Sequence, residues 1–171
     1  YVDVFRQVPV AHYMLNSLIV ACISIAGNII LSTMAGYALG RLKWKGRGLV
    51  FAIFMGTMVI PLEGVMISQF LIVKAMGLQN TLVSVALPGL VTAMNILLMT
   101  NAFKSIPMEL EEAAMVDGCN SLQALIRVLV PVVKPSMVTV GLLAFLEAWN
   151  NFMIPLYLAG SDNTPLPLAM V

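Results

Sequence analysis

Charge is scarce in this chain: 10% of its 171 residues are charged, nine basic against eight acidic, where soluble domains carry roughly a quarter. The net charge of +1 and the lack of any basic stripe argue against nucleic acid as a partner. Histidine occurs once, as His12, and cysteine twice, as Cys22 and Cys119; with no Cys/His cluster there is no ligand set for zinc, and no metal is expected. Cys22 falls in an apolar run and Cys119 in a polar stretch, on different sides of any membrane topology, so no disulfide is expected. No Gly-x-x-x-x-Gly-Lys-Ser/Thr loop is present to cradle phosphates, and no nucleophile sits beside a base in the apolar runs. The chain does not read as an enzyme and is expected to bind no cofactor itself. It begins with Tyr1, and no basic start, short apolar core and small-residue cleavage pattern follows. No signal peptide is expected, and the chain reads as a piece of a longer one.

Apolar sequence fills the rest. Hydrophobic residues make up 60% and the mean hydropathy is +0.96, with runs near the ~20 residues a helix needs to cross a ~30 Å hydrocarbon core. The fold class is therefore all-α, a polytopic membrane helix bundle set in a lipid bilayer. One transmembrane domain over 1–171 is expected, with crossings at 13–40, 49–73, 79–103 and 135–158.

Within the first crossing Ser24, Asn28, Ser32, Gly36 and Gly40 recur every fourth residue. That spacing lines one helix face with small groups, suited to close approach of another helix or to a solute path. In the second crossing Pro61-Leu62-Glu63-Gly64 interrupts the run. Residues 49–60 alone would rise only ~18 Å at ~1.5 Å per residue, so the crossing is expected to continue past the proline. Glu63 then lies in lipid, where a carboxylate marks function or a water-reached helix end. The third crossing carries Pro88-Gly89, a kink signal, and Asn95, either an interhelical hydrogen bond or a solute ligand. On the fourth, Glu147, Trp149, Asn150 and Asn151 set hydrogen-bonding groups beside an aromatic face. Such a set suits a sugar, and equally suits contacts between helices.

Arg41, Lys43, Lys45 and Arg47 follow the first crossing at once, and Lys104, Arg127 and Lys134 fall on the same side, leaving Arg6 and Lys74 on the other. The bias of basic residues makes the first side cytoplasmic. It also places a cytoplasmic loop at 105–131. This stretch holds Glu109, Glu111, Glu112 and Asp117, half of the eight acidic residues, and cannot lie in hydrocarbon. Pro107 suits a first helical turn with the three glutamates near the positive end of the helix dipole. A short helix to Val116, a turn at Asp117-Gly118, a cap at Asn120 or Ser121 and a second helix from Leu122 to Val130 complete a helix-turn-helix hairpin that Pro131 ends.

Glu112-Ala113-Ala114, then Gly118, then Val128, Val130 and Pro131 resemble the EAA loop of bacterial ABC importer permeases. That pattern has Ile and Leu where this chain has two valines, which keeps the positions apolar. Phe145-Leu146-Glu147-Ala148-Trp149-Asn150-Asn151-Phe152 and Asn163-Thr164-Pro165-Leu166-Pro167-Leu168 resemble segments of the carbohydrate-uptake, maltose-type branch. The resemblance spans nearly the whole chain. It implies that the family's first and last helices are missing, and that the protein sits in a bacterial inner membrane. It further implies an ABC ATPase dimer that holds ATP, a second permease subunit and an extracytoplasmic solute-binding protein as partners. Glu112, Ala113, Ala114, Asp117, Gly118, Val128 and Pro131 would then form the ATPase-coupling loop, and Glu63, Asn95, Glu147, Trp149, Asn150 and Asn151 are candidates for the solute pathway. The alternative is an ion-coupled secondary transporter using Glu63 and Glu147.

Overall fold

The computed structural model describes residues 10–160 and 163–169. Arg6, assigned above to the outer side, lies outside them. The described residues form helices and no strands. Helix α1 spans Val10–Gly40, α2 Arg47–Thr57, α3 Leu62–Ala75, α4 Leu82–Ala86, α5 Ala93–Lys104 and α6 Met108–Val116. Helix α7 runs Ser121–Asn150, followed by the short α8, Met153–Leu158, and α9, Leu166–Ala169. Among the described residues α1 and α7 are long and apolar enough to cross a membrane, and Leu82–Gly89 with Ala93–Lys104 can form a third, broken span.

The first expected crossing is thus one helix, but the other three are interrupted, each for a local reason. The run at 49–73 is two helices. Proline has no N–H to continue the ladder, and Pro61 instead takes an extended conformation ahead of α3. α2 closes with tight bonds from Met58 N to Met55 O and Val59 N to Gly56 O. At 79–103 the chain tightens into a 3-10 turn over Leu87–Gly89, and α5 starts afresh where Thr92 accepts a bond from Asn95 N. In the last run the helix stops at Asn150, and Asn151 Oδ1, one residue before the N-cap Phe152, accepts from Ile154 N in the first turn of α8 at 3.0 Å.

Pro131 does not end its helix. The five residues before it up to Leu129, Leu125–Leu129, form a π turn, and α7 continues through both Pro131 and Pro135 to Asn150. A widened turn shifts the carbonyls that a proline ring would otherwise meet four residues back, and it leaves the missing donor without consequence. The helix that carries the last expected crossing therefore begins at Ser121 and is continuous with the hairpin's second arm.

Packing divides the chain into two compact units. The first comprises the stretch up to Ala26, Ile60–Leu90 and the stretch from Leu143 onward. Its core joins Val20 to Val73, Val85, Ala86, Ile154 and Leu158. Polar bonds reinforce it: Asn16 Nδ2 donates to Thr164 O at 3.1 Å, Leu166 N to Ser17 Oγ at 2.8 Å and Tyr157 OH to Gln69 Oε1 at 2.6 Å. The second unit comprises Gly27–Val59 and Val91–Leu142. Tyr37, Met99, Phe103, Ile106, Leu125, Leu129, Val133 and Val140 form its core. Here the small-residue face of α1 meets α5: a Cβ on Gly36 would fall 2.6 Å from Met99 Cβ, and one on Gly40 3.0 Å from Thr100 O. Only glycine lets these backbones come so close.

Candidate functional site: the α6–α7 hairpin

The hairpin's turn is built from side-chain and backbone capping that its sequence dictates. α6 ends at Val116, Asp117 is the cap residue, and Gly118 takes φ +83°, a left-handed conformation that costs glycine nothing. Gly118 N donates to Met115 O and Cys119 N to Ala114 O, both at 3.0 Å, which is the full Schellman pattern. Two residues on, Asn120 and Gln123 form a reciprocal capping box: Gln123 N donates to Asn120 Oδ1 at 2.9 Å and Asn120 N to Gln123 Oε1 at 3.0 Å. Asn120, and not Ser121, is the cap. Two helix ends closed within seven residues make a stiff corner.

Around that corner Ala114 is buried, whereas Glu112, Ala113, Asp117 and Gly118 are exposed. Val116 is 87% exposed, and Met115, Leu122 and Ile126 also present apolar surface. Val128 is half-buried and Pro131 exposed on α7. The hairpin thus offers a mixed face with carboxylates at its edge and small or aliphatic side chains at its centre.

The candidates for a solute path are scattered. Glu63 is exposed in the first turn of α3. Asn95, 2% exposed, donates from Nδ2 to Asn28 Oδ1 at 2.8 Å, an interhelical bond. Asn150 Nδ2 returns to Leu146 O within its own helix at 2.8 Å. The Trp149 ring stacks on Phe145 with centroids 5.4 Å apart. Among the described residues Glu147 and Asn151 share a cavity of about 20 Å³ that Ser24 and Gly89 also line. That holds a water or two and not a sugar ring.

One cluster escaped the sequence reading, which used Arg41 only as one of the basic residues that set the topology. Arg41 is 7% exposed. Its Nε lies 3.6 Å from Glu111 Oε2, its Nη2 donates to Pro107 O at 3.2 Å and its Nη1 meets Met108 Sδ at 2.8 Å. Tyr37 OH donates to the other carboxylate oxygen, Glu111 Oε1, at 3.1 Å. The available signal was the four-residue spacing of Tyr37 and Arg41, which puts both on one helix face. The acid lies 70 positions further along and nothing local points to it.

An apolar helical chain with two helices long enough to cross a membrane and a capped polar hairpin between them has the build of a membrane transport subunit. Residues 28–170 match the family of binding-protein-dependent transport system inner membrane components, and the chain belongs to that family. It is 37% identical over 158 residues to the sulfoquinovosyl glycerol transport system permease protein SmoH of Agrobacterium fabrum, covering 91% of this chain and 55% of that one. With the lactose transport system permease protein LacG of Rhizobium radiobacter it shares 31% over 160 residues, 94% of this chain and 59% of the relative. A crystal structure of a bacterial ABC transporter involved in the import of the acidic polysaccharide alginate superposes with a TM-score of 0.87 at 28% identity, covering 98% of this chain and 59% of that one. The chain spans a little over half the length of these relatives.

Proposed function

We propose that this chain is the membrane-spanning permease part of an ATP-driven importer for a sugar or oligosaccharide. It works with a pair of ATPase subunits that hold the ATP, a second permease subunit and an extracytoplasmic solute-binding protein, and the hairpin faces the cytoplasm. The observation that carries this reading is the hairpin itself, a doubly capped corner presenting Glu112, Ala113, Val116 and Asp117 outward while α7 runs unbroken from it into the bundle. A corner of this kind fits a cleft on an ATPase. When the ATPases close, the displaced hairpin carries α7 with it, and the bundle repacks between two access states. The sugar-class relatives support the choice of solute class.

The test is Gly118→Asp in the full-length protein with its companions. The variant inserts into the membrane normally but hydrolyses ATP without uptake, because an aspartate adds strain and charge at the docking face. Normal uptake by the variant refutes a docking role. Companions identified by mass after copurification in gentle detergent should include an ATPase.

A further inference from the structure

We propose that Tyr37, Arg41 and Glu111 form a polar joint that locks the first arm of the hairpin to the end of α1, so that the two move as one body when the ATPases close. The inference rests on the hairpin being the ATPase-docking element. These are positioning residues: none is placed at the docking face or against solute.

The joint has a directional build. Glu111 lies in the first turn of α6; its Oε1 accepts from Tyr37 OH of α1 at 3.1 Å, and its Oε2 forms an ion pair, without a hydrogen bond, with Nε of Arg41 just past the end of α1 at 3.6 Å. Arg41 reaches past the carboxylate to Pro107 O and Met108, so one guanidinium grips both the side chain and the start of α6. Tyr37 is held in turn by its ring, packed edge-on against Phe103 at 5.7 Å. The side chains of Arg41 and Glu111 are 3% and 13% exposed, so a break leaves a charge buried without its counterion.

α1 meets the other arm through apolar packing, with Tyr37 sharing a core with Leu125, Leu129 and Val133 of α7. An open apolar groove of about 740 Å³ runs between α1 and α7, lined by Met34, Ala38 and Leu42 on one side and Leu122, Ile126 and Met137 on the other. Motion received at the corner reaches α1 through α6 by a polar contact held at several atoms, alongside the apolar packing of α7.

The experiment uses the complete transporter in lipid nanodiscs with Cys22 and Cys119 replaced by serine. Spin labels go on Leu31→Cys in α1 and Glu109→Cys in α6, both exposed positions. The distance between them is read without nucleotide and with ATP and vanadate, which traps closed ATPases. With the joint intact the distance is the same in both states. Arg41→Met broadens it and makes it shift on trapping, while ATP hydrolysis loses its dependence on the solute-binding protein. Arg41→Lys, which keeps the charge and loses the fork, recovers a single distance in part, and Tyr37→Phe gives the mildest change. An unchanged, nucleotide-independent distance in Arg41→Met overturns the joint and leaves the docking reading standing. A complex that purifies without any ATPase overturns both.

Discussion

Replacing Gly36 with alanine tests how closely α1 and α5 must approach. The added Cβ would lie 2.6 Å from Met99 Cβ and 2.8 Å from the Met99 carbonyl carbon. Carbon atoms settle at about 3.5–4.0 Å, so the shortfall is about 1 Å. Neither neighbour is the end of a flexible side chain, and the two helices must part to make room. Overfilling a packed contact costs about 1–3 kcal/mol, and alanine's better helix propensity returns at most about 1 kcal/mol. A net loss of about 1–2 kcal/mol is expected, close to a tenfold fall in the folding equilibrium constant. Separation would also strain the 2.8 Å bond between Asn28 and Asn95, two turns away on the same face. Gly56→Ala is the control, since a Cβ there meets nothing within 4 Å and should be neutral or slightly stabilising. Unfolding of the full-length protein in mixed micelles, followed by loss of helix as the fraction of denaturing detergent rises, reads both. Equal midpoints for Gly36→Ala and Gly56→Ala would refute the close-approach argument.

Asn95→Leu should destabilise the same micelle-held protein by about 1–2 kcal/mol, because the interhelical bond is lost and Asn28 Oδ1 loses that donor; an unchanged midpoint counts against that bond. Asn120→Ala removes a cap worth about 1 kcal/mol, and the backbone amides over 121–123 should exchange with solvent faster while those of α5 do not change. Gly118→Val should loosen the corner by about 1–2 kcal/mol and Gly118→Asn by much less, because asparagine tolerates a left-handed φ and the surrounding space is open; limited proteolysis at the hairpin ranks the two, and equal cleavage refutes the φ argument.

What could be read from the sequence was what is local. The end of α1 at Gly40, its small-residue face and the Asp117-Gly118 turn follow from composition, four-residue spacing and one glycine, and the structure has all three, with α1 starting at Val10 where the sequence suggested residue 13. The breaks were harder to place. Pro61 was taken to lie inside a crossing, although a helix that ends four residues earlier and restarts after it satisfies the same apolar run. Pro131 was taken as a stop, but a π turn absorbs it, and no sequence signal distinguishes a widened turn from a broken one. The burial of Arg41 was hidden for another reason. Its neighbours Lys43 and Lys45 are exposed as a basic loop should be, and only the long-range return of α6 buries it beside Glu111. The grouping of Glu147, Trp149, Asn150 and Asn151 came from proximity in sequence, yet consecutive helical positions point in different directions, and only Glu147 and Asn151 face one cavity.

Reconstitution of the purified full-length permease into liposomes, with and without its ATPase subunits, tests the coupling account most directly. Solute bound to its carrier protein outside should accumulate within the vesicles only when the ATPases and ATP are present. Accumulation against a gradient by the permease alone, driven by an ion or proton gradient, would contradict it.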